Sequence, residues 1–250
     1  STKTDRVLPE HILKIIKKYE EYFNKIEEIV EFIDDIRTPY GIYAIVRDYA
    51  LANGKIHMRN VKIGDELKEV EDYYEPNDPE EYVMIMIDHI GLISTQKNYD
   101  TGLPMTLHES IGKLSSDYLI KLRNRFGYIP VVIQQQAQSQ ESVENKKHNK
   151  LKPSLDGLGD NKLTQRDADI ILGLFSPFRH EIPDYMGYDV RFFKDNIRFL
   201  EILGGRDGGG GTTCPLYFDG AVNYFKELPL PNESSKMSQV HQIINHIRKN

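Results

Sequence analysis

Between residues 82 and 133 the chain holds two short, almost uninterrupted apolar runs separated by one well-capped amphipathic stretch. Tyr82 to Ile87 and Tyr128 to Ile133 are too short for helices. They are also too uniformly apolar for half-exposed strands, so both read as buried strands. Between them, Thr106 and Glu109 carry the spacing of a capping box, in which a hydroxyl and a carboxylate each satisfy a free backbone N–H. The helix they open is expected to run to about Arg125, with Gly127 as its stop. A strand, a crossover helix and a second strand give a parallel pair, and hence an α/β fold.

The rest of the chain is read in the same way. Ile12, Ile16, Tyr19, Phe23, Ile26 and Val30 recur at helical spacing, and Pro9 suits a first turn, so residues 9–30 are expected to form one amphipathic helix. The short apolar stretch Ile29 to Ile33 is expected to form a strand closed by Asp34-Asp35. Thr38-Pro39 opens a second helix that Gly54 ends, and the acidic, turn-rich residues 60–80 read as a surface loop. Beyond Ile133 the polar stretch 134–152 reads as a loop. A short helix around Thr164–Asp167 leads into a third apolar strand, Ala168 to Phe175.

Arg198 to Leu203 and Thr213 to Phe218 bracket the glycine run 208–211 and read as a hairpin. Asp219-Gly220 marks a turn into an edge strand, Ala221 to Leu228. Val240, Ile243, Ile244 and Ile247 form the face of a tail helix. The expected division is a partial ATPase-type domain over residues 1–228 and a linker with a short helix over 229–250. No internal repeat is found.

Composition narrows the class without naming a chemistry. Of 250 residues, 39% are hydrophobic and 28% charged, enough for a packed core with a charged surface. No apolar run approaches the roughly 18 residues needed to span a bilayer, and no charged-then-apolar leader opens the chain. The lone Cys214 rules out an intramolecular disulfide or a multi-cysteine metal site, so a reducing cytoplasm is expected. A net charge of −6 argues against a basic coat for nucleic acid but leaves room for a few local phosphate contacts.

Asp88 stands directly after the first apolar strand, at the sheet edge where α/β proteins present ligands. A carboxylate there can hold the water shell of a Mg2+ that grips nucleotide phosphates. Taken alone, an acid at a strand end equally well caps the following turn. Three later segments bear on that choice. They are Val131-Val132-Ile133-Gln134-Gln135-Gln136, then Leu158-Gly159-Asp160-Asn161-Lys162 with Gln165-Arg166-Asp167-Ala168-Asp169, and finally Gly204-Gly205-Arg206-Asp207-Gly208 with Gly211-Thr212.

In this order, together with Asp88-His89-Ile90-Gly91-Leu92-Ile93, the segments resemble the successive motifs of DnaB-family replicative helicases over residues 29–228. The resemblance implies a RecA-like P-loop NTPase core with a largely parallel sheet flanked by helices and a C-terminal β-hairpin. It implies ATP and Mg2+ as cofactors, with Asp88 on the metal, Gln136 reading the γ-phosphate and Arg206 acting as an arginine finger in a neighbouring subunit. The loop at Gly159, Asp160 and Lys162 would follow single-stranded DNA inside a homo-oligomeric, hexameric ring, and a primase or helicase loader is an expected partner. The chain departs from the family pattern in four places. Gly204 takes the place of the hairpin lysine, Gly159 that of a DNA-contacting arginine, Lys162 that of a glycine, and His89 that of a tyrosine.

No G-x-x-x-x-G-K-[ST] segment occurs in the chain. In the resembling family it lies upstream of the matched region. The chain is therefore expected to hold the later part of the core, with the N-terminal part missing, and not to hydrolyse ATP by itself. Two other readings stay open: a recombinase-type ATPase that forms filaments, and a non-catalytic module of the same fold.

Overall fold

The computed structural model describes residues 9–99, 101–136, 145, 151–158, 162–206, 208 and 210–248, with the backbone alone for Lys162. The chain divides into two compact units at Arg37/Thr38.

In the first unit the expected single helix is two, α1 (Glu10–Lys18) and α2 (Glu20–Ile29). Tyr19 leaves helical geometry at φ −106°, ψ 12°, and its N–H bonds back three residues to Ile16, tightening the last turn. Neither helix has a buried residue. The strand expected over Ile29 to Ile33 does not form: α2 takes Ile29, and the next residues pair with no strand among those described.

The second unit begins with α3 (Pro39–Ala52), whose Thr38 hydroxyl accepts from the Gly41 N–H at 3.2 Å. Residues 60–80 are largely not a loop. β1 (Gly54–Ile63) and β2 (Glu66–Pro76) form a long antiparallel hairpin closed by Gly64-Asp65, with Gly64 at φ +64°. The charges that suggested a loop pair across the strands, His57 with Glu75 at 2.6 Å and Arg59 with Asp72 at 3.1 Å. Tyr74 ties the hairpin inward, donating to the Ala50 carbonyl at 2.9 Å and meeting Phe126 edge-on.

The strand–helix–strand unit forms as expected. β3 (Met84–Ile87) leads through a loop to α4 (Leu107–Gly112), a wider π-type stretch (Lys113–Leu119) and α5 (Ile120–Phe126), then to β4 (Ile129–Val132). Both arms of the capping box are made: the Glu109 N–H donates to the Thr106 hydroxyl at 3.2 Å, and the Thr106 N–H to the Glu109 carboxylate at 2.7 Å. These bonds hold the Glu109 carboxyl below its usual range. Gly127 ends α5 in the left-handed region at φ 72°, which costs a glycine little.

β3 and β4 pair in parallel, Met84 opposite Ile129. Ile85, Ile87 and Val132 face a core containing Leu114 and Leu122. The full burial expected of β3 does not hold, since Met84 is 57% and Met86 64% exposed. The alternation explains it: one face meets the helices and the other carries no layer among the described residues.

α6 (Lys162–Asp167) precedes β5 (Ile170–Phe175). Further on come the short β6 (Asp184–Tyr185), β7 (Tyr188–Asp189) and α7 (Val190–Phe193). They are followed by β8 (Ile197–Gly205), β9 (Thr213–Asp219), β10 (Tyr224–Glu227) and α8 (Ser234–Ile247). The hairpin, edge strand and tail helix stand where the sequence suggested. However, β5 joins this hairpin rather than β3 and β4, giving an antiparallel sheet in the order β10-β9-β8-β5. Parallel pairing among the described residues is confined to β3 and β4. A second core gathers Phe175, Phe193, Ile197, Phe199, Leu228 and Ile244. Among the described residues no helix is long and apolar enough to cross a membrane.

Thr106→Ala removes the cap and is expected to cost about 1 kcal/mol in chemical denaturation at neutral pH. The Glu109 arm works only when ionised, and its folded pKa is lowered. Its contribution is therefore complete above the ordinary carboxylate range and is lost as pH falls through the lower folded value. The gap between wild type and variant should accordingly narrow below about pH 4.

Candidate functional site

Because β3 and β4 are parallel neighbours, their carboxyl ends lie at one edge, and Asp88 and Gln134 follow them there. The chain turns sharply after Asp88. The Ile133 N–H bonds the Ile87 carbonyl at 3.0 Å, and the Ile90 N–H bonds the Ile133 carbonyl at 3.0 Å, so the turn is stitched across the end of β4. His89 sits at φ 71°, a conformation rare for residues with a side chain. Its ring Nδ1 accepts from the Gly91 N–H at 3.1 Å, which makes it the cap of the turn Ile90–Leu92. That bond needs an unprotonated Nδ1, so His89 serves as a structural anchor that aims Asp88. Ile90, 1% exposed, is the apolar plug under the turn.

Asp88 itself is exposed and makes no ion pair with a described residue. No group of three metal-ligating side chains occurs among the described residues. A single unpaired carboxylate suits a Mg2+ held mainly by phosphates and water rather than by a protein cage.

Of the three consecutive glutamines, the one held in place is Gln134. Its amide donates to the Leu158 carbonyl at 2.5 Å and accepts from the Thr164 hydroxyl at 3.2 Å, joining the end of β4 to α6. Gln136, the residue singled out in the sequence, is exposed. Gly159 and Asp160 lie outside the described residues, as does the side chain of Lys162, the first residue of α6. A cleft of about 580 Å³ opens against α6, lined among others by Asn98, Thr101, Lys113, Ser116 and Arg166.

The Asp167-Ala168-Asp169 motif is where several elements meet. Asp167, with its side chain 8% exposed, accepts from the Ser115 hydroxyl at 2.9 Å and the Ser116 hydroxyl at 2.5 Å, both on the π-type stretch. Arg166 faces its other oxygen at 3.4 Å. Asp169 divides its carboxylate between two arginines: Oδ2 takes Arg123 of α5 at 2.6 Å and Oδ1 takes Arg206 at 3.1 Å. The Arg206 N–H also bonds the Asp169 carbonyl at 3.0 Å. Arg206 lies just past β8, where Gly205 is required because a Cβ there would come within 2.7 Å of the Gly208 carbonyl oxygen. The structure thus brings Asp88 and Gln134 to one edge and ties Arg206 to Asp169 and, through it, to Arg123. Sequence reading missed Gln134, Ser115, Ser116 and Arg123. The last three carry no local signal, because their partners are more than 40 residues away.

No family model and no curated protein matches the chain. Among solved structures it is similar to the ATPase domain of a DnaB-like helicase, with a TM-score of 0.57 and 18% sequence identity over 89% of this chain. The match covers 66% of that chain, so the present chain spans just under two thirds of its length. At this identity the likeness shows the fold: a mixed α/β arrangement shared with that ATPase domain, in keeping with a RecA-like core.

Proposed function

We propose that the chain is the later part of the ATPase core of a DnaB-type replicative helicase subunit, which turns ATP hydrolysis into movement along single-stranded DNA. The observation that carries this reading is the pairing of Asp88 and Gln134 at the carboxyl ends of two parallel neighbours. That is where a RecA-like core needs a metal carboxylate and a phosphate-reading amide. The likeness in fold to a helicase ATPase domain supports it.

In this reading Asp88 holds the water shell of Mg2+ with its free carboxylate. Gln134, already oriented by Leu158 and Thr164, takes the γ-phosphate role first assigned to Gln136. Arg206 reaches the nucleotide of a neighbouring subunit, where its planar, permanently charged guanidinium suits charge building on a transferring phosphoryl group. Site completion by a neighbour requires an oligomer, and a hexameric ring is the form we propose, with a primase or loader as a further partner. The DNA strand would run along Gly159, Asp160 and Lys162 into the cleft with Lys113 and Arg166. ATP and Mg2+ supply the driving chemistry when bound. The phosphate-cradling segment is not in this sequence.

Gly204, in place of the hairpin lysine, favours a second reading: a non-catalytic module that assembles with other subunits. A fluorescent ATP analogue titrated into the full-length protein separates the two, since saturable Mg2+-dependent binding supports the motor and none supports the module. In the same protein Arg206→Ala should abolish hydrolysis while analogue binding persists; loss of binding would show that Arg206 is structural.

Gln134→Ala should lower kcat by about 10²-fold, the usual effect of removing one transition-state donor. Gln136→Ala should change it by less than about twofold. The reverse ranking in steady-state ATPase assays would return the role to Gln136.

A further inference from the structure

Asp169 is placed differently from an ordinary surface acid. Its two carboxylate oxygens bind different arginines from different elements, Arg123 on α5 and Arg206 beyond β8. Its own carbonyl also receives the Arg206 N–H, so Arg206 is gripped at both backbone and side chain. Asp169 in turn is set by its neighbour Asp167, whose buried carboxylate is bound to Ser115 and Ser116, and by Arg123, which also donates to the Asp167 carbonyl at 3.3 Å.

These ion pairs do little for stability. The side chains of Asp169 and Arg206 are 46% and 53% exposed, and exposed pairs contribute about 0–1 kcal/mol. What the arrangement does is geometric. One N–H edge of the Arg206 guanidinium is held, and the remaining donors of a side chain half open to solvent are left for another ligand. A long, flexible side chain that must meet a small anionic target gains most from being held before the target arrives.

We infer that Asp169 is the positioning residue of Arg206, with Arg123 fixing Asp169 from behind. Asp169 touches no nucleotide and acts through the direction it imposes on the guanidinium. This inference rests on the reading of Arg206 as the arginine that completes a neighbour's site. It adds the element that orients this arginine within its own subunit.

The test uses the full-length protein and steady-state ATP hydrolysis, comparing Asp169→Asn, Asp169→Glu, Arg206→Ala and the double variant Asp169→Asn/Arg206→Ala. Asp169→Asn should lower kcat by about tenfold or more with KM within about twofold, because binding is kept and only the orientation is lost. Asp169→Glu keeps the charge, retains folding and should recover part of kcat. The double variant should match Arg206→Ala to within about twofold, since two residues acting through one contact are not additive. Multiplied losses in the double variant would overturn the inference. So would an Asp169→Asn enzyme with normal kcat beside an Arg206→Ala enzyme without activity, an outcome that leaves the trans role of Arg206 standing. An unchanged Arg206→Ala enzyme would overturn both that role and the inference. If Asp169→Asn melts early, Asp169→Glu alone decides: a kcat equal to wild type overturns the inference.

Discussion

Asp167 carries its charge almost wholly out of water, and such burial costs several kcal/mol unless the lone pairs are met by donors. Here they are met by two serine hydroxyls and approached by an arginine. The hydroxyls come from the widened stretch between α4 and α5, so the buried carboxylate locks α6 onto the crossover helix. Much of the site hangs from that lock. It sets Thr164, which holds Gln134, and it sets the next acid along, which holds Arg206. An apolar residue at position 167 would spare the desolvation cost but leave both serines without their acceptor and α6 without its register.

How much of the fold was legible depended on whether local chemistry and tertiary pairing agreed. At Thr106–Glu109 and Gly127 they did, and the crossover helix begins and ends where the residues said it would. The run Tyr82 to Ile87 was read correctly as a strand. Its burial was not, because uniform apolarity does not say how many layers cover the strand. Between Gly54 and Pro76 the two disagreed. Alternating charges that pair across a hairpin look in one dimension like a solvated loop. The signal that would have found it is Gly64-Asp65, a two-residue turn between stretches of equal length. In α1 and α2 a continuous helical period concealed the break at Tyr19, since periodicity carries across a single non-helical residue.

The candidate site shows the same divide. Asp88 and Arg206 stand out in the sequence because each is tied to its own element, a strand end and a hairpin. Three successive glutamines carry no such mark. Only the stitching of Ile133 to Ile87 and the reach of α6 single out Gln134. The Asp167-Ala168-Asp169 motif was legible as a motif but not as a junction, since what it joins lies on α5 and beyond β8, far away along the chain.

The connection between Gln134 and Thr164 has a mechanical consequence. α6 has six residues, about 9 Å of helix at 1.5 Å per residue, pinned at its middle to the end of β4 and at its last residue to the crossover helix. A rod that short does not bend, so a displacement at one pin appears at the other as a tilt. Whatever pulls on the Gln134 amide therefore swings the segment that carries Asp169, and with it the tip of the hairpin. The chain contains a lever whose input is at one sheet edge and whose output is an arginine on another.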